Sequence, residues 1–450
     1  MTDAAPALEE AAFFSRLSSL NVPKKFAVAI SGGRDSMALA RLCAAYAQKH
    51  GAEALALTVD HGLRAGAADE AAQAKRWCEA AGLTHRTLHW EGEKPSSGVQ
   101  GAARAARYAL LIEAAQAHGC EALLTAHSED DQAETVFMRL ARGAGLRGLA
   151  AMREESLIAA GPGEPLRLLR PLLFFSRDSV TAYLREIAQN YFDDPSNDDD
   201  RFERVRVRAL LAALGEQGLI TTPSMAASAR KLAAAEDAAM AQEDALFDHL
   251  GGCFYGWGGA SLDRWEDAPG ADGLARRLIY AVGGGAYMPD GAAARDAVEL
   301  AASSGAATPQ KATPKATVGG AMIMRWRGRL WFLREAAALT GRAGVSPVAP
   351  QGLAAPLLWD RRFVIAPSGA AAGLQIAPLG HDAPAFLGQH AGLFRGPPEA
   401  LASLPGLMRD GVLIGAPALP FMDTEIVTCR PPTCLSLTME RFRGRIVRFS

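Results

Sequence analysis

A short stretch near the N-terminus, FAVAISGGRDS at residues 26–36, decides the fold. Its first half, Phe26–Ile30, is an apolar run typical of a buried strand, and the alanine-rich Ser36–His50 that follows is typical of a helix. Two glycines between them let the backbone curl closely around a ligand, and free amides at a helix start favour an anion. The stretch predicts a strand, a phosphate-binding loop and a helix. The predicted binding residues are Ser31, Gly32, Gly33, Arg34, Asp35 and Ser36.

The hexapeptide Ser31–Ser36 alone also suits a tight turn with a Ser or Asp helix cap, so both interpretations stay open at this point. The chain contains no Gly-x-x-x-x-Gly-Lys-Ser/Thr motif, which disfavours a loop that handles a γ-phosphate. No Gly-x-Gly-x-x-Gly follows the first strand either, which weakens a dinucleotide site.

Working outward, short apolar runs alternate with helical stretches over the first 150 residues, a pattern typical of βαβ units and a parallel sheet. Further strands are predicted at Ala54–Asp60, Thr84–Trp90, Ala122–Ala126 and Leu166–Leu173. Helices are predicted at Ala67–Ala81, Val99–His118, Glu129–Arg142, Ser176–Ala188 and Ser224–Leu250, and a hairpin at Gly319–Glu335 turning at Arg327-Gly328. Polar residues that directly follow parallel strands are expected to converge on one crevice.

Length and charge exclude several classes of protein. The chain has 450 residues, 49% of them apolar, enough to bury the cores of two to four domains. Its formal charge is −2, from 47 basic and 49 acidic residues, so it is not a globally basic nucleic-acid binder. A polyanion would have to bind to a local patch of basic residues. The six cysteines form no Cys-x-x-Cys pair, which disfavours zinc and iron–sulfur sites.

No membrane association is expected. The longest uncharged runs, Ala343–Trp359 and Phe363–Gly380, are interrupted by prolines that a bilayer-spanning helix would not carry so densely. The N-terminus carries Glu9 and Glu10 and lacks the basic and apolar regions of a secretory signal. We therefore expect a cytoplasmic protein.

Carboxylates cluster on the helix predicted from Glu129. Asp131 and Glu134 lie three residues apart, and Asp130 and Glu134 four apart, so they can share one helix face. Such a cluster beside a triphosphate suits Mg²⁺ or an ammonium group. An acidic first turn stabilised by the helix dipole is the alternative.

Two arginines, Arg104 and Arg107, lie three residues apart on another predicted helix. Either guanidinium could neutralise charge on an α-phosphate or a leaving pyrophosphate, although exposed helix arginines are equally common. His127 follows a strand and by itself suits a structural hydrogen bond. Eight further arginines give local positive charge: Arg139, Arg142, Arg147, Arg153, Arg201, Arg204, Arg206 and Arg208.

These motifs resemble the PP-loop ATP pyrophosphatases and, among them, the tRNA(Ile)-lysidine synthetase family. The resemblance is carried by Ser31–Ser36, Val59–Arg64, Ala103–Tyr108, Thr125–Thr135, Arg142–Leu149, Arg170–Leu173, Asp194–Asn197 and Arg204–Arg208. It covers about residues 24–215. The sequence departs from the family pattern at Gly98, Ser128 and Val205.

The resemblance implies an α/β fold with a parallel-sheet domain of the adenine-nucleotide α-hydrolase (PP-loop) type, followed by a helical segment and a smaller mixed α/β region. We predict a catalytic domain at residues 1–215, a helical substrate- or tRNA-binding domain at 216–335 and a C-terminal domain at 336–450.

The implied activity is ATP-dependent adenylation of the wobble cytidine of a CAU-anticodon tRNA(Ile), followed by attack of the L-lysine ε-amine. The family places the loop aspartate, Asp35, with His127, Asp131 and Glu134 in the active site, favours Arg104 over Arg107, and implies ATP with Mg²⁺, for which Asp35 is the candidate ligand. A PP-loop cytidine thiolase and a non-catalytic nucleotide-binding module are the alternatives.

Overall fold

The computed structural model describes most of the chain: residues 6–62, 66–91, 99–158, 165–193, 201–285, 287–303, 315–340, 350–353, 357–367, 373–389, 394–419, 427–429 and 446–447. Arg64, Gly98 and Asp194–Asn197 lie outside these residues. Contacts divide the chain into two compact units. One comprises Met1–Ala160, Pro165–Asp237 and Val447–Ser450, and the other comprises Gly161–Glu164 and Ala238–Ile446.

The first unit is an α/β fold. Its strands are β1 (Lys25–Ala29), β2 (Glu53–Asp60), β3 (Thr84–His89), β4 (Ala122–Leu124), β5 (Glu155–Ile158) and β6 (Leu166–Leu169). Its helices are α1 (Glu10–Ser19), α2 (Arg34–His50), α3 (Ala67–Ala80), α4 (Val99–Ala117), α5 (Glu129–Ala141), α6 (Leu146–Leu149), α7 (Arg177–Glu186) and α8 (Glu203–Glu216). Helix α9 (Thr222–His249) runs across the division between the units.

These six strands belong to one seven-stranded sheet, where they follow the order β5-β6-β4-β1-β2-β3, and the seventh strand, β19 (Ile446–Val447), is next to β5. The pairs β1–β2, β2–β3, β1–β4 and β4–β6 are parallel, and only β5 runs antiparallel to its neighbour among these described strands. After β3 the chain returns to the other side of β1, so the order reverses between β1 and β4. Ligands of open α/β sheets bind in the crevice at such a reversal.

Both faces of the centre of this sheet are covered, which explains why the central strands β1 and β4 are almost entirely apolar rather than alternating. On one face, Phe26 and Val28 of β1 pack with Met37 and Leu39 of α2, and on the other, Ala27 packs in the cluster that contains Tyr108 and Leu111 of α4. The predicted strands and helices of this unit are therefore confirmed to within a few residues, and β5 was not predicted.

The second unit holds three smaller sheets. Its strands are β7 (Cys253–Phe254), β8 (Ala260–Leu262), β9 (Lys315–Val318), β10 (Ala321–Trp326), β11 (Arg329–Arg334), β12 (Gln351–Gly352), β13 (Leu357–Trp359), β14 (Phe363–Pro367), β15 (Leu374–Pro378), β16 (Pro405–Arg409), β17 (Val412–Gly415) and β18 (Val427–Cys429). Its helices are α10 (Ala271–Val282), α11 (Gly291–Ala302), α12 (Ala337–Thr340) and α13 (Ala383–Gln389), with 3₁₀ turns at Gly380–Asp382 and Pro398–Ser403. Strand β19 (Ile446–Val447) lies at the junction of the two units.

The segment predicted to be helical also contains a five-stranded antiparallel sheet, in the order β7-β8-β11-β10-β9, on which α10 and α11 pack. The hairpin turning at Arg327-Gly328 is confirmed as β10 and β11. Strands β7 and β8 were missed because two or three residues are too short to show a period. No described helix is long and apolar enough to cross a membrane.

Replacing Leu124 by Ala tests the packing beneath the crevice. Leu124 ends β4 and is fully buried, so the substitution should lower the free energy of unfolding by about 2–5 kcal/mol. Leu219, which is 67% exposed, provides the control, and Leu219→Ala should change stability by less than about 0.5 kcal/mol. Equal effects in urea titrations would contradict this account of the core.

Candidate active site

The loop after β1 is shaped by its own side chains. Ser36 donates its hydroxyl to the Gly33 carbonyl at 2.8 Å and accepts the Ser31 amide at 3.2 Å. The Ser31 and Ser36 hydroxyl oxygens lie 3.1 Å apart. Gly33 is the N-cap of α2 and provides no side-chain cap, which leaves the first-turn amides for an external acceptor. This arrangement supports the anion cradle over the helix-cap interpretation.

Gly32 needs to be glycine for two reasons. Its φ of +81° lies in the left-handed region, and a Cβ there would sit 2.8 Å from Cδ2 of the Phe192 ring. The Phe192 amide also donates to the Gly32 carbonyl at 2.9 Å, and the Phe192 ring packs against Trp77 at 4.9 Å between centroids. The segment that contains Phe192 therefore packs against the loop Ser31–Ser36 and stabilises its conformation.

A second loop, after β4, presents His127 and Asp131. Ser128 is the N-cap of α5, where its hydroxyl accepts the Asp131 amide at 3.4 Å and its amide donates to Asp131 Oδ2 at 2.9 Å. One oxygen of Asp131, Oδ2, thus belongs to a capping box. This agrees in part with the alternative in which the acidic first turn stabilises the helix. The other oxygen of Asp131, Oδ1, lies 3.7 Å from Nη2 of Arg177. Ser128, a departure from the family pattern, is structural here.

The protonation states of this loop follow from burial and charge. Burial lowers the pKa of His127 to about 3, so the imidazole is neutral at pH 7, with Nδ1 3.1 Å from the Thr125 hydroxyl. Burial opposes ionisation of Asp131. The charge of His127 when the ring is protonated, the hydrogen bond from the Ser128 amide and the charge of Arg177 together outweigh burial and lower the pKa of Asp131. Asp131 is therefore a carboxylate, and His127 an uncharged hydrogen-bonding group.

Glu134 is deeply buried, with 2% of its side chain exposed. Arg208 Nε donates to its Oε1 at 2.9 Å, and Arg177 Nη2 lies 3.5 Å from the same oxygen. Arg177 is the first residue of α7, and its amide donates to Asp130 Oδ2 at 2.7 Å. Burial opposes the Arg177 charge, but Asp131, Asp130 and Glu134 outweigh burial and raise its pKa. Three carboxylates and two guanidiniums thus form one network.

A cavity of about 790 Å³ joins the two loops. This volume is within the range of small-molecule sites. Its wall includes Ser31, Gly33, Arg34, Asp35 and Ser36 from the first loop, and Thr125, His127 and Asp131 from the second. Ile30, Leu57, Val59, Tyr108 and Leu111 form an apolar part of the wall. The cavity therefore offers an anion cradle, an acidic group and an apolar surface together.

Three of the predicted site residues, Arg104, Glu134 and Gly32, contribute no side chain to the cavity wall. Arg107 lines the cavity, whereas Arg104 is not among the lining residues and lies over the Tyr108 ring, 5.3 Å from its centroid. Glu134 stands behind Arg177 rather than on the wall. Gly32 contributes backbone only.

Sequence reasoning missed Arg177, because an arginine after Ser176 at a helix start carries no distinctive pattern. It treated Arg204 and Arg208 only as general positive charge, although both line the cavity. Other members of the arginine set pair within the protein, Arg142 with Glu203 at 2.5 Å and Arg153 with Glu236 at 2.6 Å.

The described residues contain no group of three or more His, Cys, Asp or Glu side chains arranged to hold a metal. Asp35 is the carboxylate that the phosphate-binding loop contributes to the wall, with Oδ1 3.0 Å from Arg34 Nε. One carboxylate fits the usual binding of Mg²⁺, which takes one or two protein oxygens together with substrate phosphates and water. Among the described cysteines, Cys43, Cys78 and Cys120 are buried and free.

Comparison with known proteins places the catalytic unit in a class. Residues 9–214 match the PP-loop domain family. In solved structures, the fold is similar to the U34-tRNA thiolase NcsA from Methanococcus maripaludis with its [4Fe-4S] cluster, at 19% identity and a TM-score of 0.42 over 50% of this chain and 77% of that one.

Curated relatives named tRNA(Ile)-lysidine synthase define the family. The chain is 34% identical to the one from Ruegeria pomeroyi over 356 residues, covering 77% of this chain and 78% of that relative. It is 42% identical to the one from Rhodopseudomonas palustris, covering 55% and 68%. The relative from Bradyrhizobium sp. is 48% identical over 42% of this chain, and the match spans 52% of its length. The chain belongs to the tRNA(Ile)-lysidine synthase family.

Gly32→Ala should weaken ATP binding, because the added Cβ must displace Phe192 and distort the loop. We expect about a 10- to 100-fold higher dissociation constant, equal to about 1.4–2.7 kcal/mol. Gly51→Ala is the matched control, since Gly51 has a φ of +62° at the other end of α2 and nothing lies within 4 Å of its Cβ position. It should lower stability while ATP affinity stays the same. Equal affinities for all three proteins would argue against the cradle.

His127 should make stability depend on pH. Its folded pKa of about 3 lies below the ordinary value of 6.5, so below pH 6.5 the unfolded chain binds a proton that the folded chain does not. Stability therefore falls as pH drops from 6.5 toward 3. Between pH 6.5 and 5, wild type should lose about 2 kcal/mol more than His127→Asn in urea titrations. Parallel losses would show that His127 titrates normally in the folded protein.

Proposed function

We propose that the chain modifies the wobble cytidine of a tRNA(Ile) with a CAU anticodon, converting it to lysidine with ATP and L-lysine. The observation that carries the proposal is the cavity that joins the loop Ser31–Ser36 to Asp131 across the reversal of the sheet. A phosphate cradle and an amine-binding carboxylate at opposite sides of one cavity suit a two-step ligation. Family membership supports the same conclusion.

In the first step, O2 of the cytidine attacks the α-phosphorus of ATP, and pyrophosphate leaves with the electrons of the bond that breaks. Ser31, Gly33, Ser36 and the first amides of α2 hold the departing pyrophosphate, since a helix N-terminus favours negative charge. Arg107, on the cavity wall, neutralises charge at the α-phosphate, and Arg104 stays a candidate from one helical turn away. Mg²⁺, when bound by Asp35 and the phosphates, supplies further charge neutralisation.

In the second step, the lysine ε-nitrogen forms a bond to C2, and the C2–O bond breaks so that AMP carries the oxygen away. The ammonium must first lose a proton. With a reference pKa of about 10.4, only about one amine in 2,500 is neutral at pH 7, a cost of about 4.6 kcal/mol. Of the described carboxylates on α5, Asp131 is the one that lines the cavity, so we assign it to hold the ammonium group and accept its proton, with Glu134 behind it.

The apolar wall of Leu57, Val59 and Leu111 suits the adenine ring. The target base has to leave the anticodon stack to reach this cavity, as for other enzymes that act on bases. Arg204, exposed at the cavity, is placed to meet RNA phosphates.

The proposal is tested with ATP, Mg²⁺, labelled lysine and two tRNAs with CAU anticodons, those for isoleucine and methionine. Lysine should enter the isoleucine tRNA alone. Incorporation into neither tRNA, by a protein that still binds ATP, would refute the function, and transfer of sulfur instead would favour the thiolase alternative.

Asp131→Asn should lower lysine incorporation by about 100-fold or more, because it removes the proton acceptor, and should leave ATP affinity unchanged. Glu134→Gln should lower both activity and stability, since Arg177 and Arg208 lose their shared carboxylate in a buried setting. Glu121→Gln, on the exposed surface, provides the control. Full activity of Asp131→Asn would remove that residue from the mechanism.

A further inference from the structure

The network around Glu134 is incompletely satisfied. Glu134 Oε2 and Arg177 Nε are buried atoms without a hydrogen-bond partner in the part of the chain that the structure describes. Buried polar atoms are normally paired, so an unpaired oxygen on a carboxylate side chain that is 2% exposed indicates a donor that binds there at another stage.

The position between the two carboxylates is held by a guanidinium. Arg177 Nη2 is 3.7 Å from Asp131 Oδ1 and 3.5 Å from Glu134 Oε1, and its side chain is 13% exposed. Both distances exceed the 2.7–2.9 Å of strong charge-assisted bonds. Arg177 therefore occupies the cation position between the two carboxylates without forming a short hydrogen bond to either one. An ammonium group is more compact and carries three donors, enough for Asp131 Oδ1 and the orphaned Glu134 oxygen together.

The net charge of the cluster also favours an ammonium group as the ligand. Asp130, Asp131 and Glu134 carry three negative charges, Arg177 and Arg208 carry two positive charges, and one negative charge remains for one monovalent cation. The other groups that face the cluster are neutral, paired or solvated. These include His127 after β4, Asp35 with Arg34 on α2, Glu129 of α5 with Arg230 of α9, and the exposed Arg204 on α8.

We propose that Arg177 is a positioning residue that occupies the cation position between Asp131 and Glu134 until a primary ammonium group takes that position. The charge of Arg177 leaves the cluster able to bind one ammonium group and still allows that group to release a proton. This inference rests on the proposed function, in which that ammonium group belongs to lysine. Without Arg177, the remaining carboxylates would hold the ammonium group as a cation and resist its deprotonation.

The test measures lysine incorporation against pH for wild type and four variants, with tRNA-dependent ATP–pyrophosphate exchange as the measure of the first step. Arg177→Met and Arg177→Gln remove the charge, Arg177→Lys keeps it, and Arg185→Met changes an exposed arginine of the same helix. The two neutral variants should shift the acid limb of kcat upward by about 1–2 pH units. Their KM for lysine should not rise, and exchange should persist. Arg177→Lys should keep the wild-type acid limb of kcat but raise the KM for lysine, because its own ammonium group competes for the cation position. Arg185→Met should follow wild type in both.

A purely structural role predicts a different result: lower kcat, higher KM and weaker exchange without a shift in the pH profile. That result, or an Arg177→Lys variant whose acid limb shifts as far as that of Arg177→Met, overturns the assignment. Wild-type lysine incorporation would still leave the proposed function intact. A wild-type protein that exchanges pyrophosphate but incorporates no lysine overturns the proposed function and this assignment with it.

Discussion

The site depends on one topological constraint, the reversal of strand order between β1 and β4. Because these strands are adjacent and parallel, the loops that follow them must end at the same edge of the sheet. One loop contributes the amides of α2 and the other contributes His127 and Asp131. The backbone hydrogen bonds between β1 and β4 therefore bring the functional groups of the two loops together, although the loops do not form these bonds themselves.

The two helix starts at this edge are used differently. Helix α5 has a capping box from Ser128 and Asp131, so its own first-turn donors are satisfied and one carboxylate is oriented. Helix α2 begins at Gly33 without a side-chain cap, so its donors are available. This difference distinguishes the predicted phosphate-binding loop of the cavity from the loop predicted to bind the amine.

Much of this could be predicted from the sequence. Strands β1 and β2 and helices α2 and α5 follow from long apolar or periodic runs bounded by glycine or a cap residue, and their bounds agree closely with the structure. The short strands β5, β7 and β8 carry no period. The burial of Glu134 and the place of Arg177 depend on where α7 and α8 pack, which local sequence does not encode. For the same reason, spacing alone could not separate Arg107, on the wall, from Arg104.

The central claim is that a nucleobase oxygen captures the adenylyl group in this cavity. It is tested most directly with tRNA(Ile) that carries ¹⁸O at C2 of the wobble cytidine, followed by mass spectrometry of the AMP released during lysine incorporation. The account predicts that the label appears in the phosphate of AMP. Label that stays in the RNA would contradict it.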